Sequence, residues 1–284
     1  MRKSLLIICA GLFLSASLLL TACAALSEKA TGGCEAKLKV GDTVVFKLSR
    51  GTYGEGKIET IDGSRYKIPY GTTTPTVDEA DVYSLPKTGA SSSLKIGDFV
   101  IAKQSDQNSW VPAEVTRADG KAIEVKTISY KQTVNLSPEQ VVAARPAAIE
   151  EFKALKTEVA FDEKVASMRP TLPPGYLLKK GDRVVAAWSG NSWWAGTIVR
   201  QSGEKMMIKW GDNSRDSEVD SARIAVYPAV GSTGAPFHPG DILLIKPTSN
   251  SATWTFAEAT SGREVRFKDG KTRTVRGDEY ILFN

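Results

Sequence analysis

Gly41-Asp42-Thr43-Val44 recurs three times along the chain, as Gly97-Asp98-Phe99-Val100, Gly181-Asp182-Arg183-Val184 and Gly240-Asp241-Ile242-Leu243. Each copy follows a basic or turn-forming residue and opens a stretch of about fifty residues with the same order of signals, the mark of an array of small modules. Gly41 and Gly97 form one closely spaced pair, Gly181 and Gly240 a second, and a longer interval separates them.

Each stretch reads as short strands and turns. The phrase runs into an apolar strand at Val44-Val45-Phe46, Val100-Ile101-Ala102, Val184-Val185-Ala186 or Leu243-Leu244-Ile245. A second strand carries Gly56-Lys57-Ile58, Ala113-Glu114-Val115, Gly196-Thr197-Ile198 or Ala257-Glu258-Ala259. Turns follow at Asp62-Gly63, Asp119-Gly120, Ser202-Gly203 and Ser261-Gly262, where glycine supplies the positive φ of a tight hairpin. Third strands begin at Tyr66, Ile123, Met206 and Glu264; fourth strands hold Val77, Leu136, Val219 and Val275; short fifth strands hold Val82, Val141, Ile224 and Ile281. Five short, bent strands predict a small barrel whose closure removes exposed edges.

The expected organisation is therefore all-β: four five-stranded barrels over 39–85, 95–144, 180–228 and 238–284, in two tandem pairs. Between the pairs, residues 146–170 carry Ile149, Phe152, Leu155 and Val159 at near-helical intervals among charged residues, bounded by Pro146 and Pro170. This predicts an amphipathic connecting helix that packs on one pair or bridges both. Each module is too small for a large core of its own, so contact with neighbours should contribute to its stability.

The order of strands and aromatics resembles Tudor and Agenet-type domains, which have Src-homology-3-like barrels. The third module is most similar, through Gly181 to Trp188, Trp193-Trp194-Ala195-Gly196-Thr197-Ile198 and Ile208-Lys209-Trp210-Gly211-Asp212-Asn213. The resemblance implies a ligand- or partner-binding cage of Trp188, Trp194, Trp210 and Asp212, in which indole faces attract a cation at ~0.5–2 kcal/mol per contact. The family usually carries a further aromatic where Ser214 stands. The other modules lack the set: Trp188 aligns with Leu48, Gln104 and Pro247, and Trp194 with Gly54, Val111 and Thr255. Trp210 aligns with Tyr70, Thr127 and Phe267. Trp193, by contrast, is aromatic in every copy, as Tyr53, Trp110 and Trp254. Adjacent strand residues face opposite sides. Trp193 is thus expected to pack over a barrel mouth or against the neighbouring module, while Trp194 serves a different purpose.

The N-terminus has Arg2 and Lys3 before an apolar run from Leu5 to Leu20, read as a secretory signal over 1–22. The run ends Leu20-Thr21-Ala22-Cys23, which resembles the lipobox of bacterial lipoproteins. That resemblance implies cleavage before Cys23, lipid on its sulfur, a tether over 23–38 and anchorage to the cell-envelope membrane. Ala24, rather than aspartate, after the cysteine favours the outer membrane in a two-membrane bacterium. Cys34 is then left without an intramolecular partner, as a tether thiol or in an intermolecular disulfide; without lipidation it is available to Cys23.

Charge and motif content argue against other classes. Loss of 1–22 leaves 35 basic against 32 acidic residues, a mild excess with no dense basic block, so no nucleic acid is expected as a partner. His238 is the one histidine and stands in a linker. No nucleophile–base pairing or phosphate loop accompanies it, so no enzyme, cofactor or metal is expected. Asp212, Asp216, Glu218 and Asp220 cluster without the spacing of a calcium loop. The modules imply binding of a protein or cell-wall partner; a structural envelope spacer and a nucleic-acid-binding relative are the alternatives.

Overall fold

The computed structural model describes residues 37–87, 93–104, 109–212, 214–248 and 253–284. The signal segment, Cys23 and Cys34 lie outside the described residues. Val40–Asn284 form one compact unit.

The first module comprises β1 (Thr43–Ser49), β2 (Thr52–Lys57), β3 (Thr60–Asp62), β4 (Arg65–Lys67), β5 (Thr76–Asp78) and β6 (Val82–Ser84). The second comprises β7 (Phe99–Lys103), β8 (Ser109–Ala118), β9 (Ile123–Thr127), β10 (Thr133–Leu136) and β11 (Val141–Ala143). Helix α1 (Pro146–Ser167) follows. The third module is β12 (Arg183–Ser189), β13 (Ser192–Ser202), β14 (Lys205–Trp210), β15 (Ser217–Asp220) and β16 (Ile224–Val226). The fourth is β17 (Ile242–Ile245), β18 (Thr253–Ser261), β19 (Glu264–Phe267), β20 (Thr272–Thr274) and β21 (Tyr280–Phe283).

The Gly-Asp phrase proves to be a clamp on the bend in each module's second strand. All four glycines have φ between 90° and 92°, a region that costs glycine nothing. In module 3 the Gly181 N–H donates to the Ile198 carbonyl (2.8 Å), and the Ile198 N–H donates to the Asp182 carbonyl (3.0 Å). The same reciprocal bonds join Gly41-Asp42 to Ile58, Gly97-Asp98 to Val115 and Gly240-Asp241 to Ala259. The aspartate carboxylate accepts from the amide three residues upstream, at Lys95, Lys179 and His238. Just past the clamp β8, β13 and β18 each bulge, which sharpens twist and bend. Module 1 breaks there instead, between β2 and β3, so its strands number six rather than five.

The four-module, all-β architecture matches the sequence expectation, but closure does not. In modules 2 to 4 the fifth strand pairs with the first and the fourth with the third. No ladder among the described residues joins fourth strand to fifth; a single 3-10 turn connects them. The modules instead fuse in pairs. Tyr53 lies opposite Trp110 where β2 meets β8, and Trp193 opposite Trp254 where β13 meets β18. Modules 1 and 2 thereby share an eight-stranded sheet, from which β3–β5 are separate, and modules 3 and 4 a ten-stranded one.

This fusion explains why the first strands are apolar on both faces. Along β12, Val184 and Ala186 enter module 3's own core with Ile198, Ile208 and Trp210. Val185 and Ala187 enter a second core with Trp193, Trp254, Phe256 and Phe283, shared by modules 3 and 4. Strand alternation thus feeds two cores at once. Tyr53, Trp110, Ile101 and Val45 form the equivalent shared core of modules 1 and 2.

Helix α1 bridges both pairs. Pro146 occupies its first turn, where no amide is missed, and Met168 caps it two residues before Pro170. Ala148 and Phe152 enter the shared core of modules 1 and 2; Val165 enters that of modules 3 and 4. Polar contacts reach every module: Glu151 with Lys47 (2.5 Å), Lys156 with Glu114 (2.5 Å), the Asn191 amide with the Asp162 carbonyl (3.4 Å) and Lys164 with Glu258 (3.4 Å). Beyond the helix, Arg169 and Thr171 donate backbone bonds to Asn284 and Leu282, covering the edge of β21. Among the described residues no helix is long and apolar enough to cross a membrane.

Candidate partner-binding site

The rim of module 3 brings three of the four expected site residues together. Trp188 occupies the bulge at the end of β12, between the Ala187–Trp193 and Ser189–Ser192 pairs. Trp194 stands on β13 opposite Ala186, and Trp210 ends β14 opposite Gly196. Gly196 permits this approach: a Cβ there would lie 2.5 Å from Ile208 Cγ2 and 2.9 Å from the Lys209 carbonyl oxygen.

The three indoles form a packed stack. Trp188 lies nearly parallel to Trp210, 5.5 Å between ring centroids and 18° between planes. Trp194 meets Trp188 edge-on, at 5.4 Å and 60°. Trp210 is buried at 2% exposure, and its Nε1 donates to Ser217 Oγ at 2.9 Å. Trp188 is 45% exposed, so the outward face of its ring is the one open to a ligand. With Trp188 against Trp210, a cation would meet that outer face rather than a space between rings. Asp212 follows in the exposed turn after β14. The Ser214 amide donates to its Oδ1 at 3.0 Å.

Trp193 points the other way. Its ring packs edge-on against Phe283 at 5.0 Å and Phe256 at 6.0 Å, inside the core shared with module 4. Trp110 does the corresponding job between modules 1 and 2, with its Nε1 donating to Glu55 at 3.0 Å. Tyr53 sits edge-on to Tyr83 and Phe152, and burial pushes its phenol pKa up. The recurring aromatic is therefore the seam between modules.

Register fixes the corresponding rim positions elsewhere. Leu48 occupies the β1 bulge as Trp188 does in β12. Gly56 approaches Ile68 and the Pro69 carbonyl as Gly196 approaches Ile208 and Lys209, which aligns Tyr70 with Trp210. In module 1, Tyr70 leans over Gly54, where a Cβ would lie 2.8 Å from Tyr70 Cε2. In module 4 the four positions are Pro247, Thr255, Phe267 and Asp269, and here the rim is open. They line a cleft of ≈ 690 Å³ that also takes in Arg50 of module 1 and Glu158 of α1. The strand pattern gives no sign of this cleft, although three of the cations that line it, Lys268, Lys271 and Arg273, stand close together in the sequence.

His238 is exposed and its backbone serves the module 4 clamp. Asp216 and Glu218 are exposed, and Asp220 accepts from the Ala222 amide at 2.8 Å. No group of metal-ligating side chains occurs among the described residues.

No family model and no curated protein matches this chain. Among solved structures, it is similar to ADCP1 tandem Agenet domain 3-4, with 11% identity, 37% of this chain and 79% of that one covered, and a TM-score of 0.27. It is also similar to the four MBT repeats of Drosophila melanogaster Sfmbt in complex with a peptide bearing methylated lysine (13% identity, 86% and 88% covered, TM-score 0.17). A third is the human TDRD1 extended Tudor domain in complex with a symmetrically dimethylated peptide (12% identity, 64% and 87% covered, TM-score 0.19). At such scores the likeness carries no argument, and the fold stands on its own ladders.

Proposed function

We propose that this chain is a non-enzymatic, lipid-anchored protein of the bacterial cell envelope, whose tandem Tudor-like modules engage a protein or wall-polymer partner through the rim of module 3. The observation that carries the binding role is Trp188. It is a large aromatic, 45% exposed, held in place by Trp194 and buried Trp210. Nothing in the cores requires its outer face, and exposed aromatic surface of this kind favours a partner contact. Asp212 adds a carboxylate to the turn beside it, which suits a cationic group on the partner.

The anchor rests on Leu20-Thr21-Ala22-Cys23 following the apolar run, with Ala24 favouring the outer membrane where there are two. Radiolabelled palmitate should enter the wild-type protein and be absent from Cys23→Ala; equal labelling of both would remove the anchor. For the rim, wild-type protein and Trp188→Ala are compared in affinity capture from detergent-solubilised envelopes. A component retained by wild type and lost from a folded Trp188→Ala supports the contact. Identical captures would dismiss it.

A spacer role is the second reading. It is favoured by the two aromatic seams and by α1, which bind all four modules into one body. A spacer would tolerate Trp188→Ala in every assay and fail with Trp193→Ala.

A further inference from the structure

A smaller cavity, ≈ 260 Å³, lies at the C-terminal end of α1, between the helix, the β12–β13 hairpin and the 3-10 turn Ser221–Arg223. Val165, Met168 and Trp193 form its apolar part. Arg169, Asn191 and Arg223 form its polar part, and no carboxylate among the described residues lines it. The Asn191 amide donates to the Asp162 carbonyl at 3.4 Å and ties the hairpin to the helix.

The carbonyls around the cavity are already taken. Arg223, half-buried, donates from Nη2 to the Gly190 carbonyl. Arg169 Nη1 donates to the Met168 carbonyl at 2.9 Å and the Ala166 carbonyl at 3.5 Å. Gly190, Ala166 and Met168 themselves line the cavity, so these bonds hold both guanidinium groups at its wall. Neither arginine makes an ion pair among the described residues, and each keeps donors to spare, because a guanidinium carries five N–H bonds. Arg169 also covers the last carbonyls of α1, which offsets the negative end of the helix.

A third donor is buried. Trp193 is 4% exposed, yet its Nε1–H has no acceptor among the described residues. Trp110 and Trp210 are as deeply buried, and they give theirs to Glu55 and Ser217. A buried indole N–H ordinarily finds a partner. In this cavity the neighbouring polar side chains are donors too, so the missing acceptor is one that a ligand would bring.

We infer that this cavity binds a phosphate group, with its oxygens shared among Arg169, Arg223 and the Trp193 N–H. The donors come from three separate elements. That suits a tetrahedral oxyanion better than a planar carboxylate, whose two oxygens a single guanidinium satisfies. The volume lies just under the ~300–1,000 Å³ usual for a whole small-molecule ligand, so it fits the group itself, free or at the end of a lipid headgroup. Trp193 and Trp194 face opposite sides of β13, so the site stands or falls separately from the rim of module 3.

Isothermal titration of the full chain in detergent tests this with inorganic phosphate, a short-chain phosphatidate and acetate. Inorganic phosphate should bind about ten-fold or more tightly than acetate, with affinity falling as salt rises. Arg169→Gln and Arg223→Gln should each weaken phosphate binding by about ten-fold, and Trp188→Ala should leave it unchanged. Arg169 is exposed, so Arg169→Gln keeps the test decisive if Arg223→Gln loses the Gly190 bond and melts early. Phosphatidate binding more tightly than inorganic phosphate supports a lipid headgroup as the source; phosphatidate binding no better supports free phosphate. Acetate binding as tightly as phosphate, binding indifferent to Arg169→Gln, or no binding of either phosphate compound overturns the assignment.

Discussion

Modules 3 and 4 place different side chains on the same rim. Trp188, Trp194, Trp210 and Asp212 in one correspond to Pro247, Thr255, Phe267 and Asp269 in the other. The tryptophans stack on one another, and an aromatic surface results. The smaller set leaves a cleft of ≈ 690 Å³ whose walls are charged. The clamp, bulge and seam beneath them are the same. The frame thus sets where a partner can be met, and side-chain volume at the rim positions decides whether it meets a surface or a cavity.

The largest disturbance should come from the frame. Trp193→Ala empties the seam that positions both rims, and burial of its ring among Phe256, Phe283 and Trp254 predicts a loss of about 3–5 kcal/mol. Urea unfolding of this variant would show it, and the rims of modules 3 and 4 should fail together. Trp210→Ala should cost a similar ~3–5 kcal/mol, since this ring is buried and its N–H is satisfied by Ser217. Phe267→Ala, at the equivalent position of the open rim, should cost less than about 3 kcal/mol, because its ring is only partly buried. Equal losses at the two positions would mean that the rims are packed alike and that the distinction between stack and cleft is unsound.

Gly196→Ala is a smaller change aimed at one rim. Its Cβ would overlap Ile208 and the Lys209 carbonyl, and backbone cannot yield as a side-chain tip can. Overpacking of this kind should cost about 1–3 kcal/mol and shift Trp210 under Trp188, quenching or moving the tryptophan fluorescence. Module 4 already has Ala257 at the corresponding position, paired with Phe267, so its frame accommodates the methyl that module 3 excludes.

Much of this frame is legible in the residues, because repetition separates what the backbone requires from what a side chain does. Gly41, Gly97, Gly181 and Gly240 mark a positive φ, and the recurring Tyr53, Trp110, Trp193 and Trp254 mark a seam. The apolar spacing of 146–170 marks a helix. Closure is not legible, because local strand signals do not say which edges meet; β8, β13 and β18 spend part of their hydrogen bonding on another module. The cleft's far wall is invisible for the same reason, although Lys268, Lys271 and Arg273 stand close together in the sequence. Arg50, Glu158 and Arg273 are far apart in sequence and meet only after α1 has drawn the two pairs together. The expected cage is half legible: its three tryptophans do converge, but sequence cannot show that Trp188 lies on Trp210.

The smallest effect on stability should accompany the greatest effect on binding. Trp188 loses little solvent contact on folding compared with Trp210, since 45% of its surface remains exposed and only one ring face is covered. Its replacement by alanine should therefore cost no more than about 1.5 kcal/mol, at the lower edge of what burying a large apolar side chain contributes. The same change removes the whole outward aromatic face that a partner would touch, and interface aromatics of this type commonly carry ~2 kcal/mol or more of binding. A midpoint in urea close to wild type, together with loss of the captured component, is the expected pair of results. A loss of stability matching that of Trp210→Ala would instead make Trp188 a packing residue, and module 3 would then offer a seam and a core but no contact surface.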